Sequence, residues 1–263
     1  MTAEPFATYK CIAWRYNLLT HDSVSKATLV RVAQQFKIPC FVAKKKPKMP
    51  EKNAQIRVEW ANKYKHALPR YWHNVLWTDE AMCKLYSPKR TFVHRRSDQE
   101  WDSAFFQRTI KYGKFSAMVW GGVSYEFRTE LLVFNAGEHI DSARYFQVIQ
   151  THAQDLVQQH DLIFQQDNAP IHKTPQIMQF INSHEIPLHD HPAYSPDLNP
   201  IEELWSILKG RINPEAFDTY AAFAQGLKAI WNGIDQHIIQ KIIDTMPQRC
   251  EDVIKSNGQP TRW

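Results

Sequence analysis

Two short apolar segments, each followed directly by an aspartate, constrain the fold more than any other feature of this 263-residue chain. The segment Asn74–Thr78 (N-V-L-W-T) runs into Asp79, and Leu162–Gln166 (L-I-F-Q-Q) runs into Asp167. Short runs of this kind, bounded by polar residues, predict buried strands. Because catalytic groups gather at strand carboxyl ends in α/β sheets, we expect the two aspartates to emerge at one edge.

The rest of the chain alternates between strand-like and helix-like patterns. Further strands are predicted over Thr91–His94, Phe115–Trp120, Leu131–Phe134 and Ile186–His189, with Gly121 and Gly122 turning the chain after the second of these. Helices are predicted over Asp141–His160, Thr174–Ser183 and Asn199–Ile212, and two more are expected before residue 255. This order predicts an α/β fold, in which a mixed sheet is flanked by helices.

Composition excludes several classes of protein. Hydrophobic residues make up 43% of the chain, which is enough for a sizeable core and excludes wholesale disorder. The longest nearly apolar run, Phe115–Val123, is too short to span a bilayer, and no signal peptide opens the chain. Four distant cysteines match neither a zinc site nor a disulfide framework. We therefore expect a soluble intracellular protein with no membrane partner.

Basic residues concentrate near the N-terminus. Residues 1–70 carry 14 Lys and Arg against 4 Asp and Glu, whereas residues 71–263 carry 18 against 23. Such an asymmetry predicts an N-terminal part that contacts polyanions, although a solvated charged surface is the plain alternative.

Two short helices are predicted in this basic part, over Tyr9–Leu19 and Ser23–Ile38, and they suit a partial helix-turn-helix. Lys26 and Arg31 on the second helix are candidate DNA contacts, as is the basic run Lys44, Lys45, Lys46 and Lys48. A further basic helix is predicted over Glu51–His66. The predicted division is a partial helix-turn-helix segment at 1–43, a basic linker and helix at 44–70, and the α/β domain at 71–255.

A third carboxylate stands at the start of a predicted helix, in S-P-D-L-N-P-I-E-E. Asn199 can cap that helix, which places Glu202 in a capping box with only a local hydrogen-bonding role. Alternatively, Glu202 or its neighbour Glu203 joins the two aspartates. Both glutamates flank the apolar stripe of the helix, so their spacing does not choose between them.

Three converging carboxylates would form an anionic cage of oxygen ligands, which Mg²⁺ or Mn²⁺ prefers. Two such ions can activate a water or a 3′-hydroxyl and stabilise the leaving oxygen. The alternative for Asp79 and Asp167 is a turn at the end of each strand.

Other candidates are weaker. His172 can contact metal-bound water or DNA, but a structural histidine is the more common case. His189, Asp190 and His191 resemble a metal site without a further ligand nearby. Trp120, Trp205 and Trp231 are expected in the core rather than as base-stacking surfaces.

Three strings resemble the motifs of mariner-superfamily DNA transposases: W-T-D-E, Q-Q-D-N-A-P-I-H and Y-S-P-D-L-N-P-I-E-E-L-W. The 34 residues between Asp167 and Glu202 match the branch typified by the nematode Tc elements. The resemblance spans roughly residues 20–250 and implies that Asp79, Asp167 and Glu202 are the catalytic and metal-binding residues. It favours Glu202 over Glu203, and it makes Asn168 and His172 candidates for a supporting role.

The same resemblance implies an RNase H-like fold and cut-and-paste transposition in the nucleus. The implied cofactor is a pair of Mg²⁺ ions, for which Mn²⁺ can substitute. The implied partners are double-stranded DNA, namely the inverted-repeat ends of a transposon and the target DNA, and a second copy of the chain in a homodimer.

One departure from the family pattern leaves alternatives open. A full member carries two helix-turn-helix units, and this sequence is expected to begin within or just before the second. The alternatives are a truncated DNA-binding or dimerising remnant without mobility, and an RNase H-like nuclease with other substrates.

Overall fold

The computed structural model describes residues 9–20, 23–36, 49–85, 115–213 and 216–263. These residues fall into two compact units, Met1–Pro47 and Lys48–Trp263. The predicted strand Thr91–His94 and the basic run at Lys44, Lys45, Lys46 and Lys48 lie outside the described residues.

The first unit contains two helices, α1 (Tyr9–Thr20) and α2 (Lys26–Gln35). Ser25 caps α2, because its side chain accepts a hydrogen bond from the backbone N–H of Thr28 at 3.2 Å. The side chain of Asn17 closes the turn between the helices by bonding both backbone groups of Val24. Lys26 and Arg31 are exposed on α2, where a polyanion can reach them.

The second unit is built on a four-stranded sheet in the order β3-β2-β1-β4. Its strands are β1 (Val75–Lys84), β2 (Ser116–Val123), β3 (Leu132–Val133) and β4 (Ile163–Gln165). Strand β2 pairs antiparallel with both β1 and β3, and β4 pairs parallel with β1. The expectation of a mixed sheet is therefore confirmed. The predicted strand Ile186–His189 is reduced to one parallel bridge between Phe164 and Leu188.

The predicted turn at Gly121 and Gly122 is wrong, since both residues lie inside β2 and pair with Asp79 and Thr78. Their glycine character serves close packing instead. A Cβ on Gly121 would lie 3.1–3.3 Å from ring atoms of Trp231 and Trp205, so a larger residue would require these rings to shift by a few tenths of an ångström.

Nine α-helices of the second unit lie in the described ranges. They are α3 (Glu51–Tyr64), α4 (Pro69–His73), α5 (Ser142–Val148), α6 (Gln154–Gln159), α7 (Pro175–Ser183), α8 (Ile201–Gly210), α9 (Tyr220–Asn232), α10 (Gln236–Ile243) and α11 (Met246–Lys255). A π-helical turn, Ile149–Ala153, separates α5 from α6, where one continuous helix was predicted. Three helices rather than two follow residue 216.

Helix α3 packs against α11, so it belongs to the same compact unit as the sheet. The sequence-based division at residues 70 and 71 therefore falls inside this unit. Trp120, Trp205 and Trp231 are all buried, as expected for core residues. No described helix is long and apolar enough to cross a membrane.

Candidate functional site

The register of the parallel pair brings Asp79 and Asp167 to the same edge of the sheet. Its last residue pair joins Trp77 to Gln165, and each aspartate stands two residues further along its chain. Asp79 does not end its strand, as the sequence predicted, because β1 continues to Lys84 by pairing with β2. It lies where β1 extends past the end of β4, so the expected juxtaposition arises in a different way.

Glu202 is brought to the same place by the start of α8. Its side chain lines a cleft of about 510 Å³ together with Asp79, Asp167, Asn199 and the rim segment 191–196. All three sequence-predicted carboxylates therefore share one cleft.

The capping box predicted for Glu202 does not form. The Asn199 side chain accepts a long hydrogen bond, 3.4 Å, from the backbone N–H of Ile201 rather than of Glu202, and its amide donates to the Thr78 carbonyl at 3.2 Å. Asn199 thus ties the start of α8 to the strand that carries Asp79.

Glu203 points to a different partner from its neighbour. Its carboxylate accepts a hydrogen bond from Arg249 on α11 at 3.0 Å, and Glu203 does not line the cleft. The two glutamates that the sequence pattern left equivalent are thereby distinguished by a residue 46 positions away.

Asp79 is in a strongly anionic and poorly hydrated environment. Burial, followed by the charges of Glu202 and Glu80, raises the pKa of its carboxyl well above the ordinary value. The Trp205 indole donates a hydrogen bond to Asp79 Oδ2 at 3.1 Å and opposes this shift. Burial also raises the pKa of Glu202, against a lowering by Lys209.

Asp167 is in the opposite electrostatic situation. Burial alone raises the pKa of its carboxyl, but His172 and the backbone N–H of Ala169 reverse this, and the net pKa is lowered. His172 Nδ1 lies 2.6 Å from Asp167 Oδ1, and the Ala169 N–H donates to the same oxygen at 2.8 Å. Asp167 therefore carries a stable negative charge.

His172 lies between Asp167 and Glu80. Its ring is almost fully buried, stacks on Tyr145 at 3.8 Å between centroids, and places Nε2 3.5 Å from Glu80 Oε1. Burial alone lowers the pKa of His172, but Asp167 and Glu80 outweigh it and raise the pKa to about 9. Sequence analysis missed Glu80, whose signal was its place directly after Asp79 in W-T-D-E.

A buried ion-pair network supports the segment that leads to Glu202. Both terminal nitrogens of Arg57 on α3 donate to Asp197 at 2.7 Å, and Asp197 also accepts hydrogen bonds from Thr261. Arg249 donates to the Asp197 carbonyl at 3.0 Å. Sequence reasoning missed this network because Arg57 and Asp197 are 140 residues apart.

The cluster His189, Asp190 and His191 does not form a metal site. His189 is buried among aromatic rings with Nδ1 2.7 Å from the Tyr71 hydroxyl, Asp190 pairs with Lys63 and Tyr64, and His191 Nε2 lies 3.1 Å from the Ser195 carbonyl. In the parts of the chain that the structure describes, no three His, Cys, Asp or Glu side chains form a group able to hold one metal ion.

Comparison with known proteins gives consistent matches. The family model described as DDE superfamily endonuclease matches residues 74–224. The Tc1 transposase of Caenorhabditis elegans is 32% identical over 244 residues, which cover 91% of this chain and 88% of that relative.

Solved structures of the Mos1 transposase have the same fold. Its paired-end complex with the left transposon end gives a TM-score of 0.83 at 21% identity, over 99% of this chain and 77% of that one. The Mos1 paired-end complex with Mg gives a TM-score of 0.83 over 98% of this chain and 76% of that one. The complex with Mn gives a TM-score of 0.82 over 99% of this chain and 77% of that one, and both are 21% identical in sequence.

The family match spans more than half of the chain, and the Tc1 relative spans nearly all of it. The sheet and the helices on its faces agree with the fold of the Mos1 structures. The chain therefore belongs to the DDE endonuclease superfamily, as a transposase of the Tc1/mariner type with an RNase H-like catalytic fold.

Proposed function

We propose that Asp79, Asp167 and Glu202 are the catalytic residues and that they hold two Mg²⁺ ions, for which Mn²⁺ can substitute. The donor set fits such ions, because three carboxylates line one cleft and hard divalent cations prefer oxygen ligands. The raised pKa of Asp79 supports this assignment, since a carboxylate repelled by Glu202 and Glu80 gains most from a nearby cation.

The observation that carries the proposal is the shared cleft. Asp79 and Asp167 are 88 residues apart, yet the β1–β4 register brings them to one edge, and α8 adds Glu202. Since no three such side chains in the described ranges surround a single point, we propose that DNA oxygens or water complete each ion's shell.

The proposed reaction is hydrolysis of a phosphodiester at the transposon end, followed by attack of the freed 3′-hydroxyl on target DNA. When bound, the ions activate the attacking oxygen and stabilise the leaving oxygen. The chain's own residues orient the carboxylates: Trp205 bonds Asp79, and His172 lies against Asp167.

The first unit is proposed to bind double-stranded DNA. Lys26 and Arg31 are exposed and can neutralise phosphates, and the run from Lys44 to Lys48 extends the basic charge along the chain. A partial helix-turn-helix at 1–43, action on inverted-repeat ends in the nucleus, and a homodimer are parts of the same proposal.

A strand-transfer assay tests the proposal. Purified full-length chain is given precleaved ends of its element and a supercoiled target in Mg²⁺, Mn²⁺ or EDTA. Joining in both metals and none in EDTA is expected. Cleavage of RNA–DNA hybrids without joining would instead indicate a nuclease of the RNase H type, and DNA binding without any cleavage would indicate an inactive remnant.

A further inference from the structure

Tyr194 is a large aromatic side chain that the fold leaves exposed at the mouth of the cleft. Its side chain lines the same cleft as the three carboxylates, and the residue is 73% exposed. Leu68, at 74%, is the one described large hydrophobic residue of the second unit with comparable exposure, and it does not line the cleft.

The backbone of Tyr194 is strained. Its φ is +55°, in the left-handed region that bulky side chains rarely adopt. A strained residue persists when surrounding contacts hold it, and such residues cluster at ligand clamps and active sites. An exposed ring gains no packing that would explain this conformation.

The surrounding contacts come from both sides of the cleft. On the Asp167 side, the Asn168 side chain donates to the carbonyl of His191. On the Glu202 side, Asp197 is fixed by the buried Arg57, which also makes a long 3.5 Å contact to the Tyr194 carbonyl. The rim segment is thus anchored at both ends, while the ring between them faces solvent.

The cleft lining is rich in carboxylates, and the nearby positive charge of His172 is already paired with Asp167 and Glu80. Among the described residues that line it, none is Lys or Arg, whereas three are carboxylates. Phosphate contacts are therefore unfavourable here until cations bind. An aromatic face binds nucleic acid without relying on charge, because every base has a π-face on which it can stack.

We propose that Tyr194 is a stacking platform for an unpaired DNA base next to the scissile or attacked phosphate. This rests on the proposed DNA-cleaving function, and it adds a base-binding subsite to the carboxylate cleft. The ring face makes the contact, the hydroxyl is dispensable, and the base need not have a particular sequence. The rigid rim lowers the ordering cost of stacking.

The test measures stacking without requiring cleavage. The full chain is titrated, in Ca²⁺ to occupy the oxygen site, with a duplex whose single-stranded overhang carries an unpaired 2-aminopurine, and with the same duplex made blunt. Base fluorescence reports stacking and anisotropy reports affinity. Wild type is expected to quench the overhang base and to bind the overhang duplex more tightly than the blunt one.

Four variants separate the possible contacts. Tyr194→Phe should keep the quench. Tyr194→Asn, which suits a left-handed backbone, should raise the thermal midpoint yet lose the quench and weaken overhang binding about tenfold. Leu68→Ala, the control for exposed surface, should behave as wild type. Asp167→Asn should keep the quench even where cleavage is lost. The base-stacking subsite and the proposed catalytic role of Asp167 are therefore tested independently of each other.

Three outcomes would overturn the proposal. An unchanged quench in Tyr194→Asn would show that no base stacks on this ring. Equal losses in Tyr194→Phe and Tyr194→Asn would show that the hydroxyl, not the face, makes the contact. Weakened binding of blunt and overhang duplexes alike would also contradict a subsite for an unpaired base.

Discussion

Asp79 and Asp167 occupy equivalent positions in sequence and in sheet register, yet the fold gives them opposite electrostatic environments. Asp79 is half-buried between Glu80 and Glu202, and its pKa is raised. Asp167 has a side chain that is 49% exposed, lies against His172, and has a lowered pKa. The strand register thus determines where each carboxylate lies, whereas the surrounding side chains determine its pKa.

The difference predicts a division of labour between the two aspartates. Asp167 is ionised before any cation arrives, because the imidazolium of His172 compensates its charge. Among the described residues, the Trp205 indole is the side-chain donor to Asp79 and the backbone of Glu80 adds a second hydrogen bond, so an added cation should favour its ionised form further. A metal ion should therefore bind first by attraction to Asp167 and should lower the pKa of Asp79.

The largest effect should come from removing either charge. Asp79→Asn and Asp167→Asn should each slow DNA cleavage in Mg²⁺ by roughly 10³-fold or more, because each loses several kcal/mol of metal-assisted stabilisation. Without metal, the two substitutions should change the free energy of unfolding in opposite directions. In EDTA, urea unfolding should show Asp79→Asn more stable than wild type and Asp167→Asn less stable.

The sign is the informative part, since Asp79→Asn removes a repelled charge and Asp167→Asn leaves buried His172 without its nearest partner. Shifts of the same sign in both variants would show that the two environments are not opposite. Normal cleavage by Asp167→Asn would refute the catalytic assignment itself.

The next effect compares two adjacent glutamates. Glu202→Gln should reduce cleavage by roughly 10²–10³-fold, on the same ground of lost metal binding. Glu203→Gln should leave the cleavage rate nearly unchanged and cost about 1 kcal/mol of stability, because it loses one hydrogen bond from Arg249. Cleavage kinetics and urea titrations measure both, and equal losses of activity would place the wrong glutamate in the site.

A smaller effect should follow from making the surroundings of Asp167 resemble those of Asp79. His172→Phe keeps the ring that stacks on Tyr145 and removes the nitrogen beside Asp167. Activity should fall about 10–100-fold, as when outer-shell partners of metal ligands are lost. The apparent Mg²⁺ requirement should rise.

Tyr145→Phe is the matched control, since it keeps the stacked ring and loses the hydroxyl with its bonds to Gln166 and Thr78. It should retain most activity and the wild-type Mg²⁺ dependence. If His172→Phe behaves like this control, His172 has no positioning role.

The smallest effect uses a second buried histidine, His189, in which burial outweighs the opposing charge of the neighbouring Asp190. Burial lowers the pKa of His189 to about 3, below the ordinary 6.5, whereas that of His172 is raised to about 9. Between these two pKa values His189 is protonated in the unfolded chain but neutral in the folded one, so acid favours unfolding. The stability that neutral His189 contributes is therefore complete above pH 6.5 and is lost as the pH falls towards 3.

This loss should amount to about 1.6 kcal/mol between pH 6.5 and 5, because the slope is half of 1.36 kcal/mol per pH unit at pH 6.5 and approaches the full value below it. His189→Gln should flatten the pH dependence of urea unfolding over that window. His191, whose pKa is lowered to about 4, adds in the same direction and remains in both proteins, so the comparison isolates His189. Parallel pH profiles for wild type and variant would contradict the prediction.

Much of the site could be predicted from local sequence. The apolar runs before Asp79 and Asp167 indicated strands, and the apolar stripe from Asn199 to Ile212 indicated the helix α8. The points at which strands and helices begin and end were less predictable from local sequence. Gly121 and Gly122 suggested a turn, but close packing explains them: Gly121 lies against Trp205 and Trp231, and Gly122 lies against Thr78 and Thr129. Such competition between turn propensity and packing is decided by distant side chains.

The sequence by itself determined the three carboxylates, the strands and helix that carry them, and the family to which they belong. Only the tertiary structure decided the charge of each carboxylate, the contact of Glu203 with Arg249 outside the cleft, and the strained exposure of Tyr194. Local pattern encodes periodicity and capping, which act within a few residues. Desolvation and ion pairing act through space, between residues such as Arg57 and Asp197 that meet only after the chain has folded.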